Sequence, residues 1–172
     1  MQIASSTTSK VYRRPAHWAA LLIASLTIGG HVMADEGAPP PKGASVALAV
    51  HVSGPSVVAT LVFENHSDGD VYLDRRNACA AGVIENDVFE IRAGRRRVSY
   101  LGALAKRRPP TPDDFIRLGA GQTFTTEVKL ERAYGFLKGR HEYEARYVAI
   151  HQYPSRPLLE LQSNPERFSF RK

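Results

Sequence analysis

From Val46 onward the apolar residues recur at every second position, which is the period of a β-strand. Val46, Leu48, Val50 and Val52 share one face, and Gly54-Pro55 then turns the chain. In the return run Val57, Ala59, Leu61 and Phe63 alternate with Val58, Thr60, Val62 and Glu64. Both faces of that run are rather apolar, which suits a central strand. The cluster Asn65-His66-Ser67-Asp68-Gly69-Asp70 predicts a polar turn. Val71 to Leu73 reads as a short strand, followed by an irregular stretch through Gly82.

Phe89, Ile91 and Ala93 predict an inward face, Gly94-Arg95 a turn, and Val98 to Leu101 the return of a hairpin tipped with arginines. Lys106 to Asp114 carries three prolines, which remove backbone donors and fix φ, so regular structure is not expected there. After a turn at Leu118 to Gln122, the run Thr123 to Leu130 places Phe124, Val128 and Leu130 inward. Glu131 to Leu137 has room for one helical turn. Tyr143 to Ile150 is a strong strand pattern, and Phe168 and Phe170 alternate with polar neighbours near the end. About seven to nine short strands with almost no helical period predict an all-β fold: two antiparallel sheets packed face to face as an immunoglobulin-like sandwich.

The N-terminal stretch breaks this pattern. Lys10, Arg13 and Arg14 precede an apolar run from Trp18 to Ile28, and small residues lead to Ala34. That order predicts a signal peptide over 1–34, and the run is shorter than the ~20 residues a membrane span requires. The alternative is an uncleaved anchor. A Pro- and Gly-rich tether over 35–43 and a sandwich over 44–172 complete the expected organisation. The expected location is periplasmic or secreted, with no membrane span after cleavage.

Export alters the charge balance. The chain has 23 Lys and Arg against 17 Asp and Glu, and three of the cations precede residue 35, so 20 minus 17 leaves a formal +3 rather than +6. A nucleic-acid partner loses most of its support on that count. Cys79 is the only cysteine, which excludes an internal disulfide and leaves apolar burial to hold the domain together. It is expected to be a small buried residue.

The run from Asn86 to Phe136 resembles the non-catalytic N-terminal domain of deuterolysin-type zinc proteases, especially the peptidyl-Lys metalloendopeptidases. The likeness rests on Phe89 and Ile91, Val98 to Gly102, Lys106-Arg107, Asp114-Phe115, Leu118, Gly121 and Ala133-Tyr134, then Gly139, Tyr143 and Tyr147. It covers about half of the chain, and Ala120 stands where proline is commoner. It implies an accessory or pro-domain fold without the protease. Residues 35–172 hold His51, His66, His141 and His151, and no two are separated by the four positions that zinc-ligating histidines on one helix need. The acidic-ligand motif is absent as well, since Tyr134-Gly135 stands alone.

No nucleophile–base–acid set stands out, and neither catalysis nor a cofactor is expected. Asp113 and Asp114 would diverge on an extended strand, and Glu142 and Glu144 would share a solvated face. A metal held by His141 with Glu142 or Glu144 would lack the usual four protein ligands. The best surface feature is basic: Arg95, Arg96 and Arg97 at the hairpin tip, and Lys106, Arg107 and Arg108 opening a loop stiffened by Pro109 and Pro110. If that loop folds beside the tip, one end of the sandwich would present a positive patch to an acidic surface. The expected function is therefore an exported binding module, a protease inhibitor or folding assistant whose partner is an exported metalloprotease or another acidic protein surface. The alternatives are an envelope or surface assembly protein and, more remotely, an unrecognised enzyme. Tyr134 and Tyr143 are expected to tie sandwich corners through their hydroxyls.

Overall fold

The computed structural model describes residues 43–103 and 108–172. The expected leader (1–34), the tether up to residue 42, and Lys106 and Arg107 lie outside the described residues. Among the described residues no helix is long and apolar enough to cross a membrane.

The fold is all-β and antiparallel, with ten strands among the described residues: β1 (Ala44–Ser53), β2 (Ser56–Asn65), β3 (Val71–Asp74), β4 (Phe89–Ala93), β5 (Arg96–Arg97), β6 (Phe115–Leu118), β7 (Thr123–Lys129), β8 (Arg140–His151), β9 (Leu159–Gln162) and β10 (Glu166–Arg171). One sheet runs β1-β2-β7 and a second runs β10-β8-β4-β5, with β9 also on β8 and β3 paired to β6. The β1–β2 ladder spans Ala44↔Asn65 to Ser53↔Ser56, so the Gly54-Pro55 turn sits where the sequence puts it.

The inward faces follow the period of two. On β2, Val57, Ala59, Leu61 and Phe63 are wholly buried, and on β8 Tyr143, Ala145, Tyr147 and Ala149 are buried. Phe63 meets Tyr147 edge-on at 5.5 Å, and Tyr147 meets Phe89 at 5.8 Å. The first contact joins the two layers across the core and the second lies within one sheet, and each fully buried aromatic contributes roughly 1.5–3 kcal/mol from area alone. Phe136 packs edge-on against Tyr143 and Phe170, closing the other end.

Several local expectations change. The inward face of β7 includes Thr126, buried because its hydroxyl donates to the Cys79 carbonyl at 2.8 Å, while Phe124 is only half-buried. The hairpin return is short: Arg96 and Arg97 pair with Ala93 and Arg92, and the chain then leaves to bridge Tyr100 to Tyr134. Gly94 supplies the positive φ of +57° that this turn requires. The proline stretch is not wholly irregular. Pro112–Asp114 forms a one-turn 3-10 helix, because proline is preset for a first helical position. The Asp114 carboxylate accepts from the Thr111 N–H and hydroxyl at 2.8 and 3.0 Å, and β6 begins directly after it. The turn expected after Leu130 is a one-turn 3-10 helix over Leu130–Arg132.

Both anticipated tyrosine ties are present. The Tyr134 hydroxyl accepts from the Phe89 N–H at 2.9 Å and donates to Asp87 at 3.0 Å, and the Tyr143 hydroxyl accepts from the Leu137 N–H at 3.1 Å.

Two polar residues organise the edges and turns. Asn65 is wholly buried; its amide donates to the Gly69 and Leu118 carbonyls at 2.7 and 2.9 Å, and its oxygen accepts from the Ser67 N–H and hydroxyl. It thereby locks the β2–β3 turn to the end of β6. Asn164 lies in the break between β9 and β10 and turns its amide towards β1, accepting from the Leu48 N–H at 2.9 Å and donating to the Leu48 carbonyl at 3.0 Å.

Candidate functional site

The basic runs occupy two places. Arg95 lies in the turn after β4, and Arg96 and Arg97 continue it as β5; all three are exposed. Arg97 is engaged by Asp87 at 3.1 Å. Arg95, Arg96 and the exposed Arg92 of β4 have no ion-pair partner among the described residues. Beside them a shallow groove of about 530 Å³ is lined by Arg92, Gly94, Glu142, Tyr143, Glu144 and Arg167. Of its two acids, Glu144 is paired with Arg167 at 3.0 Å, while Glu142 has no ion-pair partner among the described residues.

Arg108 is elsewhere. It pairs with Asp114 at 3.0 Å and lines a small crevice with Arg76, Pro110 and Asp114. The Asp114 carbonyl accepts from the Arg75 N–H, and the preceding Asp74 N–H donates to His151, at the last residue of β8. The arginine tip instead flanks the first half of β8, where Arg92 stands opposite Glu144 in the strand register. Glu144 and His151 are about 23 Å apart at the rise of a β-strand. Arg108 therefore does not join Arg95, Arg96 and Arg97 in one patch, because the β3–β6 ladder carries the proline segment to the other end of the sheet. Pro109 and Pro110 are exposed on that far side, beside Arg108.

The carboxylates singled out in the sequence are held locally. Asp113 and Asp114 sit on the 3-10 turn rather than on a strand. Hydrogen bonds from Thr111 hold the half-buried Asp114 carboxyl below its ordinary range, aided by the nearby Arg108 charge. Glu142 is exposed and Glu144 half-buried on the outward face of β8. The His141 ring nitrogen Nε2 lies 2.9 Å from the Lys138 carbonyl. Among the described residues no three His, Cys, Asp or Glu side chains converge.

Two buried groups have strongly altered ionisation. Cys79 is 1% exposed, and burial followed by the Glu85 charge pushes its thiol up to about 12. His151 is 1% exposed, and burial lowers it to about 4 although Asp74 opposes the shift. Its Nδ1 lies 2.9 Å from the Asp74 N–H, which can only donate, so Nδ1 is unprotonated. Nε2 then donates to the Tyr147 hydroxyl at 3.0 Å, which donates to the Asn77 carbonyl at 3.0 Å. The chain of donors is complete and needs a neutral imidazole. β8 runs one residue past the Tyr143–Ile150 pattern, which puts His151 on the buried odd-numbered face with Tyr147 and Ala149; nothing in the sequence marked its partner on β3.

A second concavity, of about 490 Å³, lies at the outer edge of β7. Val58, Ile84, Val128 and Ala133 give it apolar walls, with Glu127, Lys129 and Arg132 at its rim. No sequence motif marks it, because its residues come from four separated segments.

No protein-family model matches the chain, and no curated protein matches it.

Proposed function

We propose that this chain is an exported, non-catalytic binding domain that docks an acidic protein surface through the arginine tip formed by Arg92, Arg95 and Arg96. The observation that carries the reading is that these three guanidinium groups are exposed and lack ion-pair partners among the described residues, whereas Arg97 and Arg108 are tied down. Arginine's rigid fork of donors suits carboxylates, and a rim of one sign steers association and fixes orientation. Projecting such a loop from a stiff sandwich keeps the binding groups in place without help from the partner. The likeness to the accessory domain of deuterolysin-type proteases makes an exported zinc protease the first partner to test, with the domain acting as inhibitor or folding assistant.

The test is a titration of the full chain against a deuterolysin-type protease from the same exported fraction, reading both affinity and proteolytic activity. The double variant R95E/R96E should weaken binding by roughly tenfold or more, an effect of about 1.4 kcal/mol or greater. Its thermal midpoint should stay unchanged, since neither side chain is packed. Binding by the wild type should also weaken steeply with salt. Equal affinity for wild type and double variant would overturn the arginine tip as the site.

A further inference from the structure

The concavity of about 490 Å³ at the outer edge of β7 is framed by separate segments of this chain. The loop that runs through Gly82 to Ile84 forms one wall. It is fixed to the strand by the Thr126 hydroxyl, which donates to the Cys79 carbonyl at 2.8 Å, and by Gly82, whose φ of +71° turns the chain against the Glu127 carbonyl. Gly102 and Ala103 form a second wall, and just before them the Leu101 N–H donates to the Ala133 carbonyl at 2.7 Å. Tyr100 braces the two walls: its hydroxyl lies 3.5 Å from the Ile84 carbonyl oxygen and 3.3 Å from that of Ala103. A Cβ on Gly102 would run into the Tyr100 ring, so a larger residue there would displace the brace. The walls are therefore in place before a ligand arrives, which reduces the ordering cost of binding.

The lining narrows the class of ligand. Val58, Val83, Ile84, Val128 and Ala133 give the cleft its apolar surface, and the polar side chains around it, among the described residues, are Glu127, Lys129 and Arg132. No aromatic ring lines it on which a sugar or a base could stack. Because the chain's own loop already faces the middle of the β7 edge, an occupant meets apolar side chains rather than a ladder of backbone groups. A hydrocarbon chain needs no such ladder.

The rim sets the sign of the head group. Lys129 is the last residue of β7 and Arg132 the last of the one-turn helix that follows. Both are exposed, and neither has an ion-pair partner among the described residues. The one acid at the rim, Glu127, has the Thr60 hydroxyl at 3.3 Å. Two unpaired cations at the mouth of an apolar cleft are complementary to a carboxylate on an aliphatic tail. The volume falls within the range of ordinary small-molecule sites.

We propose that this cleft binds a single-chain aliphatic carboxylate, with the hydrocarbon against Val58, Ile84 and Val128 and the carboxylate at Lys129 and Arg132. The site goes beyond the arginine tip, and neither reading depends on the other.

The test is isothermal titration calorimetry of the full chain with octanoate, and with octanol as the uncharged probe of the same tail. Octanoate should saturate one site and bind roughly tenfold more tightly than octanol. The variant K129Q/R132Q should lose that advantage, binding octanoate roughly tenfold more weakly and octanol as the wild type does. The variant A103W places an indole in the cleft from an exposed position, and should weaken both ligands by roughly tenfold or more. The R95E/R96E variant should bind octanoate as the wild type does, which keeps failure of this site distinct from failure of the tip. Undetectable octanoate binding at millimolar concentration, or equal octanoate binding by A103W and wild type, would overturn the cleft as the site. Equal binding of octanoate and octanol would overturn the role of the two cations.

Discussion

The neutral His151 makes the domain acid-sensitive in a defined window. Its ordinary value of 6.5 applies when unfolding exposes it, and in the fold it is lowered to about 4 by burial. The folded form thus binds the proton less well than the unfolded chain. This stabilisation is fully present above pH 6.5, declines as pH falls, and is gone near pH 4, where the folded form also takes a proton. The difference of about 2.5 units is worth about 3 kcal/mol. That is a large share of the 5–15 kcal/mol typical of a domain. The geometry gives the reason: a proton on Nδ1 would face the Asp74 N–H at 2.9 Å, donor against donor. The Asp74 charge gives only partial relief, the Phe63 ring stands at 6.2 Å, and the Tyr147 hydroxyl already accepts from Nε2. Urea unfolding followed by far-UV circular dichroism at intervals between pH 7.5 and 4 measures the slope. The variant H151Q keeps a donor and an acceptor but cannot titrate, so the wild-type minus variant difference should change by about 3 kcal/mol across the window. Parallel pH profiles for the two proteins would refute the argument, because the remaining carboxylates are common to both.

Two further predictions follow from buried groups. The Cys79 thiol, pushed up to about 12, should resist a soluble disulfide reagent at pH 8 in the folded protein and react at once in urea; stoichiometric labelling of the native state would contradict its burial. Replacing Asn65 by alanine leaves the Gly69 and Leu118 carbonyls and the Ser67 N–H without their partner, and should lower stability by about 2–4 kcal/mol, read as a reduced urea midpoint with unchanged slope. A loss below about 0.5 kcal/mol would mean that water replaces all three bonds.

The all-β fold was legible because alternation is local: Val57 to Phe63 and Tyr143 to Ala149 declare their faces without reference to anything distant. Tyr134 and Asn65 were legible in kind, one as a corner and the other as a turn. The partners each found, Asp87 and Phe89 for Tyr134 and Leu118 for Asn65, depend on which strands pair. The same dependence misplaced Arg108. Adjacency of two basic runs in sequence says nothing of distance once β6 pairs with β3 and carries one run away. The β6 strand itself was hidden by its short length and by the prolines before it. The cleft beside β7 had no signature, since Val58, Ile84, Lys129 and Ala133 converge only through the loops between strands.

The side chain of Asn164 has a bearing on how copies of this chain behave at high concentration. Its amide presents β1 with one donor and one acceptor, the same pair that a peptide group of an incoming strand would present to Leu48. An invading strand at that edge would have to expel the amide first, and Glu166, which accepts from Asn164 at 2.7 Å, helps to hold it in place. One side chain thus acts as a stopper against amyloid-like stacking of sandwich on sandwich. At Leu48 the β1 edge is thereby guarded by a side chain rather than by another strand.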